Sequence, residues 1–270
     1  MTTSISSFPL PDQTRVIVVA NQKGGVGKTT TTVNLAASLA LHGSRVLVVD
    51  LDPQGNASTA LGIDHHSEGI LSIYDVLIDS KPLDDAIQKC PRIPNLYCAP
   101  ATIDLAGAEI ELVSMVSREG RLARAIGQSS MGFDYILIDC PPSLGLLTIN
   151  AMTAGDEVLI PIQCEYYALE GVGQLMKTIE LVVQEELNDR LRISTVLLTM
   201  FNGSTSLSKQ VADEVRKYFP EQVLKTQIPR SVRVSEAPSH QQTVITYEPS
   251  NNGALAYKEA AKELAERGAK

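Results

Sequence analysis

The chain has 270 residues and a formal net charge of −8, from 23 basic and 31 acidic side chains. That balance excludes a protein that coats nucleic acid by bulk positive charge. A hydrophobic content of 44% with 20% charged residues excludes wholesale disorder, and 4% aromatics without Trp exclude a base-stacking platform. Residues 1–14 are rich in Ser, Thr and Pro and have neither a basic start nor an apolar core. They read as a flexible tail rather than a signal peptide, leaving 15–270 as one domain. A β-branched run at 15–20 passes at once into a Gly-rich turn. Val33, Ala36, Ala37, Ala40 and Leu41 then form a helical stripe that ends near Gly43. Apolar runs at 46–49, 134–139, 158–161 and 193–199 read as further strands, and 105–126, 172–183, 207–218 and 255–267 as helices. Strands that are apolar almost throughout, rather than alternating, predict a mostly parallel sheet covered on both faces, in a doubly wound α/β fold. No apolar run approaches the ~20 residues that cross a bilayer. Cys90, Cys98, Cys140 and Cys164 contain no CxxC pair, and His42, His65, His66 and His240 complete no zinc spacing. The thiols read as small packed hydrophobes, and His65 and His66 as part of a solvated loop.

The segment Lys23-Gly24-Gly25-Val26-Gly27-Lys28-Thr29-Thr30 lies between the first strand and the first helix. Glycines let successive N–H groups curl around phosphate oxygens, and the helix start adds its positive dipole end. Lys28 can reach the β- and γ-phosphates, the Thr29 hydroxyl suits Mg²⁺, and Thr30 is placed for the α-phosphate. The usual phosphate-loop pattern needs Gly at position 22, where this chain has Gln22. Asp50 and Asp52 follow the second strand at a spacing that points both carboxylates the same way. Asp139 closes the apolar run 136–138 and reads as a holder of Mg²⁺ through water.

With Lys23 opening the loop, the chain resembles the ParA/Soj chromosome and plasmid partition ATPases, deviant P-loop NTPases of the wider group that includes MinD. The likeness runs from about residue 15 to the end. It implies ATP and Mg²⁺ as cofactors and an ATP-dependent homodimer, with Lys23 touching the nucleotide of the second subunit. It also implies Asp52 as the group that orients the attacking water, Lys23 and Lys28 as its catalytic partners, and Thr29, Asp50 and Asp139 around the metal. Cys140-Pro141-Pro142 matches the family's switch after Asp139, and the segment 163–171 matches Soj near the dimer face. The ends of the later strands, at Met200, Asn202 and Pro229, are expected to frame the adenine.

Residues 204–240 reverse the overall charge, with six basic against four acidic side chains. Lys209, Arg216, Lys225, Arg230 and Arg233 are the candidates for a sequence-blind surface for double-stranded DNA. Arg233 matches a family arginine, whereas a second family arginine is replaced by Ser204. The resemblance implies a ParB-type partner that stimulates hydrolysis and a cytoplasmic, nucleoid-associated protein that positions cargo. A MinD-like membrane ATPase is the alternative. Its distinguishing mark is a bulky, basic amphipathic C-terminal helix. Here 255–267 carries a small apolar face and mixed charges, which predicts packing on the sheet and no membrane partner.

Overall fold

The computed structural model describes residues 7–268; residues 1–6 of the expected tail, and 269–270, lie outside the described residues. The strands are β1 (Arg15–Val19), β2 (Val46–Asp50), β3 (Gln88–Lys89), β4 (Leu96–Ala99), β5 (Tyr135–Asp139), β6 (Glu157–Gln163), β7 (Arg192–Phe201) and β8 (Val223–Pro229). They form one sheet in the order β3-β4-β2-β5-β1-β6-β7-β8, in which only the edge strand β3 runs antiparallel. The helices are α1 (Lys28–Leu41), α2 (Asn56–Ala60), α3 (Ile73–Leu77), α4 (Leu83–Ala86), α5 (Leu105–Leu112) and α6 (Arg121–Gln128). They continue as α7 (Leu146–Ala154), α8 (Val172–Gln184), α9 (Ser206–Tyr218), α10 (Val232–Glu236), α11 (Val244–Tyr247) and α12 (Asn252–Gly268).

Alternate residues of each central strand feed opposite cores, which is why the strands read as unbroken apolar runs. Val16, Val18, Leu47 and Val49 pack under α3–α9, whereas Ile17, Val19, Val46 and Val48 pack under α1 and α12. Tyr257 of α12 is fully buried, and its hydroxyl lies 3.3 Å from Thr31 Oγ1 of α1. At the amino ends of the strands Arg15 makes a two-pronged ion pair with Glu157, at 2.7 and 2.9 Å. No helix among the described residues is long and apolar enough to cross a membrane.

Three expectations need correction. The helix expected over 105–126 is broken between α5 and α6, with Ser117 at φ +50°. Asn150 of α7 holds the break, its amide donating to Arg118 O at 2.8 Å and its Oδ1 accepting from Leu122 N at 3.2 Å. The tail is not free over residues 7–14: Phe8 is buried, stacked 3.9 Å from the His42 ring, and Thr14 Oγ1 donates to Phe133 O at 2.6 Å. His65 is not solvated but buried, at 7% exposure; only His66 of the pair faces water. The four cysteines are free and buried, as expected of packed thiols.

Candidate nucleotide site

β1 ends at Val19, between β5 and β6, and the chain turns over residues 21–27 before α1 begins at Lys28. Gly25 and Gly27 have φ +73° and +89°, values that a side chain disfavours. A Cβ on Gly24 or Gly25 would meet nothing within 4 Å, so the loop's backbone presents an open cradle. Asn21, almost fully buried, anchors its start: the amide donates to Pro161 O at 2.8 Å, and Oδ1 accepts from Lys23 N at 3.0 Å. Thr199, at the end of β7, anchors its middle by donating to Val26 O at 2.8 Å. Lys28 Nζ lies 3.2 Å from Lys23 O, so the ammonium caps the loop. Burial holds that ammonium below its usual range, against the pull of Asp139 and Asp52.

The parallel register sets Asp50 and Asp139 side by side at the carboxyl ends of β2 and β5. Both are fully buried, and burial pushes both carboxyls up, with Asp50 adding its repulsion on Asp139. Their bonding differs. Asp50 accepts from Ser58 N and Ser58 Oγ, both at 2.8 Å, and from Asp52 N at 3.2 Å. Asp139 Oδ1 accepts from Thr32 Oγ1 at 3.0 Å, while its buried Oδ2 has no partner. A buried carboxylate oxygen without a donor is costly and fits a cation. Asp52, at 9% exposure, caps the following turn by accepting from Gln54 N at 3.0 Å.

A cavity of about 280 Å³ brings together Gly24, Gly25, Gly27, Lys28, Thr29 and Thr30 with Asp52 and Met200. Val26 lies under this loop, buried, and Asp139 lies beneath the site without bordering the cavity. Of the three residues expected at the adenine, only Met200 borders it, in the left-handed region at φ +50°. Asn202 turns back into its own loop, its Oδ1 accepting from Ser204 N and Ser204 Oγ at 3.1 and 2.7 Å, and Pro229 pairs with Phe201 at the end of β8. Asn56 and Pro142 also line the cavity, Pro142 from the switch expected after Asp139. Lys23 borders a separate cavity of about 320 Å³ with Gln22, Tyr167, Glu170 and Gly171. Tyr166 and Tyr167 beside it are 76% and 60% exposed.

The basic candidates do not share one level of the sheet. Arg230 follows β8 and Arg233 lies in α10, both at the carboxyl edge, and Lys209 is in the first turn of α9. Arg216 is seven residues farther along α9, roughly 10 Å lower at 1.5 Å per residue. Lys225 sits near the amino end of β8. Arg230 pairs with Glu165 at 3.2 Å, and Arg233 with Glu236 and Glu248 at 2.8 and 3.0 Å. Arg216 is 3.9 Å from Asp213. Exposed pairs of this kind are weak and exchangeable.

A glycine loop fed by a central parallel strand into a helix start, above two buried strand-end acids, defines a P-loop nucleotide-binding protein. A family profile described as AAA domain matches residues 14–193. The sporulation initiation inhibitor protein Soj of Bacillus subtilis is 56% identical over 254 residues, covering 94% of this chain and 99% of its own length. The chromosome partitioning protein ParA of Myxococcus xanthus is 49% identical, covering 94% and 88%. Among solved structures, cobyrinic acid a,c-diamide synthase from Mycobacterium smegmatis, with bound ADP and magnesium, superposes with a TM-score of 0.80 at 39% identity, over 92% of this chain and 93% of its own. The chain belongs to the Soj/ParA family of chromosome-partitioning ATPases.

Proposed function

We propose that the protein hydrolyses ATP to drive DNA partition. ATP would pair two subunits into a dimer that binds double-stranded DNA without sequence preference, and a ParB-type partner would release it by stimulating hydrolysis. The observation that carries the reading is the split between the two lysines of one loop. Lys28 borders the phosphate cavity, whereas Lys23 borders a separate one beside exposed tyrosines. A lysine set apart from the phosphate cavity, beside exposed tyrosines, suits a second subunit rather than its own nucleotide.

The residues fit both cofactors. The open cradle of Gly24 to Gly27 suits phosphate oxygens, and the hydroxyl of Thr29 with the unpartnered Asp139 oxygen gives the hard-oxygen donor set of Mg²⁺. Thr29 and Asp139 would hold the ion, with Asp50 behind them, and it would neutralise charge on the β- and γ-phosphates. Lys28 adds its charge there, and Asp52 orients the attacking water. Met200 offers apolar contact to the base, with Asn202 and Pro229 at the rim. Lys209, Arg230 and Arg233 would meet phosphates first, and Arg216 and Lys225 would extend the patch where DNA bends toward them.

Doubling a patch by dimerisation raises avidity without new contact types, which lets an acidic monomer bind DNA only when paired. The apolar side of α12 is spent on the core: Tyr257, Ala260, Ala261, Leu264 and Ala265 are all buried. That favours the DNA reading over a membrane-bound, MinD-like one, and with it a cytoplasmic, nucleoid-associated location. An Asp52→Ala protein is expected to keep ATP-dependent dimerisation and to lose phosphate release. Phosphate release equal to wild type would remove Asp52 from the mechanism.

A further inference from the structure

The turn that carries Asp52 is braced from below by a histidine. Gly55 N donates to Asp52 O at 2.9 Å to close the turn, with Gly55 at φ +63°. A Cβ on Gly55 would lie 2.5 Å from Cε1 and 2.7 Å from Nδ1 of His65, so the imidazole sits directly against the turn's backbone. Both ring nitrogens are engaged: Nδ1 lies 3.0 Å from Ala101 O, just past β4, and Nε2 lies 3.0 Å from Thr59 Oγ1 of α2. A carbonyl can only accept, so Nδ1 carries the proton and the bare Nε2 accepts from the hydroxyl. A second link runs parallel to it, with Ala101 N donating to Ser58 Oγ at 3.2 Å.

We propose that His65 is a positioning residue for hydrolysis: its neutral imidazole clamps the 52–55 turn between α2 and the exit of β4, and so holds the Asp52 carboxylate at the phosphate cavity. The proposal rests on the reading of Asp52 as the group that orients water. Nothing in the phosphate loop touches His65, so the clamp acts on the chemical step and leaves nucleotide affinity alone. Burial holds the imidazole below its usual range. The groups around it are Asp64, His66 and Glu68 on its own loop, with the His66 ring at 3.9 Å, Asp104 across the cleft it borders, and from α2 only the neutral Thr59.

The test is steady-state ATP hydrolysis by the full-length chain with saturating duplex DNA, for wild type, His65→Ala, Thr59→Val, the double variant and Asp52→Ala. A displaced turn is expected to lower kcat about tenfold in His65→Ala, with KM for ATP within about twofold. Thr59→Val is expected to lower it too, and the double variant to be no worse than His65→Ala, because both remove one bridge. An unchanged kcat in His65→Ala, or full additivity of the two changes, would overturn the clamp. Nitrogen-15 NMR of histidine-labelled wild type reads the bridge without any variant. Protonation on Nδ1 supports it, and protonation on Nε2 refutes it. Asp52→Ala separates the two readings: if it still turns over ATP, Asp52 loses its role while the tautomer and the coupling still report the bridge.

Discussion

Thr199→Val removes one hydroxyl and keeps the shape of the side chain. Thr199 is 2% exposed, its Oγ1 holds the Val26 carbonyl at 2.8 Å, and its methyl carbon would lie 3.8 Å from a Cβ on Gly27. Valine retains that methyl packing and leaves the carbonyl of a residue at 1% exposure without this donor. An unsatisfied buried acceptor costs about 1–3 kcal/mol. The cost falls on the loop, because the strand beneath keeps its ladder to β6 and β8. If all of it is felt by the nucleotide-ready loop, affinity for ATP drops by about 5- to 150-fold. Titration of a fluorescent ATP analogue, paired with a thermal melt, measures both parts. Thr195→Val is the control, since Thr195 lies on the same strand at 1% exposure, 3.2 Å from Ser194 Oγ and away from the loop. It is expected to shift only the melt. A Thr199→Val protein that binds nucleotide like wild type would refute the claim that this hydroxyl sets the loop.

Lys23→Ala is expected to bind nucleotide within about twofold of wild type, since only the backbone of Lys23 holds Lys28. It should fail to dimerise with ATP in light scattering; ATP-dependent dimers of normal stability would remove Lys23 from the subunit contact. Glu157→Gln leaves the Arg15 charge buried and is expected to cost about 3–5 kcal/mol at neutral pH in urea unfolding. Burial alone would raise the Glu157 carboxyl, but the hydrogen bonds and charge of Arg15 hold it below its ordinary 4.5. A depressed acid stabilises fully above its unfolded value and loses that contribution as pH falls through the folded one. The deficit of Glu157→Gln should therefore shrink below about pH 4, and a deficit that grows with acid would contradict the pairing.

Periodicity carried the central strands and α1, α8, α9 and α12 because each buries a continuous stripe that burial itself writes into the sequence. The break between α5 and α6 was hidden, because the apolar spacing continues through it and the capping group, Asn150, comes from another helix. Strand β4 was missed for the same kind of reason: four residues, with no period long enough to register. At the site, the glycine loop and the strand-end acids were legible because their chemistry demands fixed residue types at fixed spacings. Thr199 and His65 were not, since each acts through a partner distant in sequence, Val26 and Ala101. Phe8 lies in a short Ser- and Pro-rich stretch with no period to place it, and its stack on His42 shows that it packs.

In the proposed cycle ATP converts an acidic subunit into a DNA-binding dimer. The most direct test is binding of wild type and Arg233→Ala to unrelated duplexes, with and without ATP and Mg²⁺, over a range of salt. Binding is expected only with nucleotide, with steep weakening by salt and a loss in Arg233→Ala on every duplex alike. Equal binding by wild type with and without ATP would contradict it.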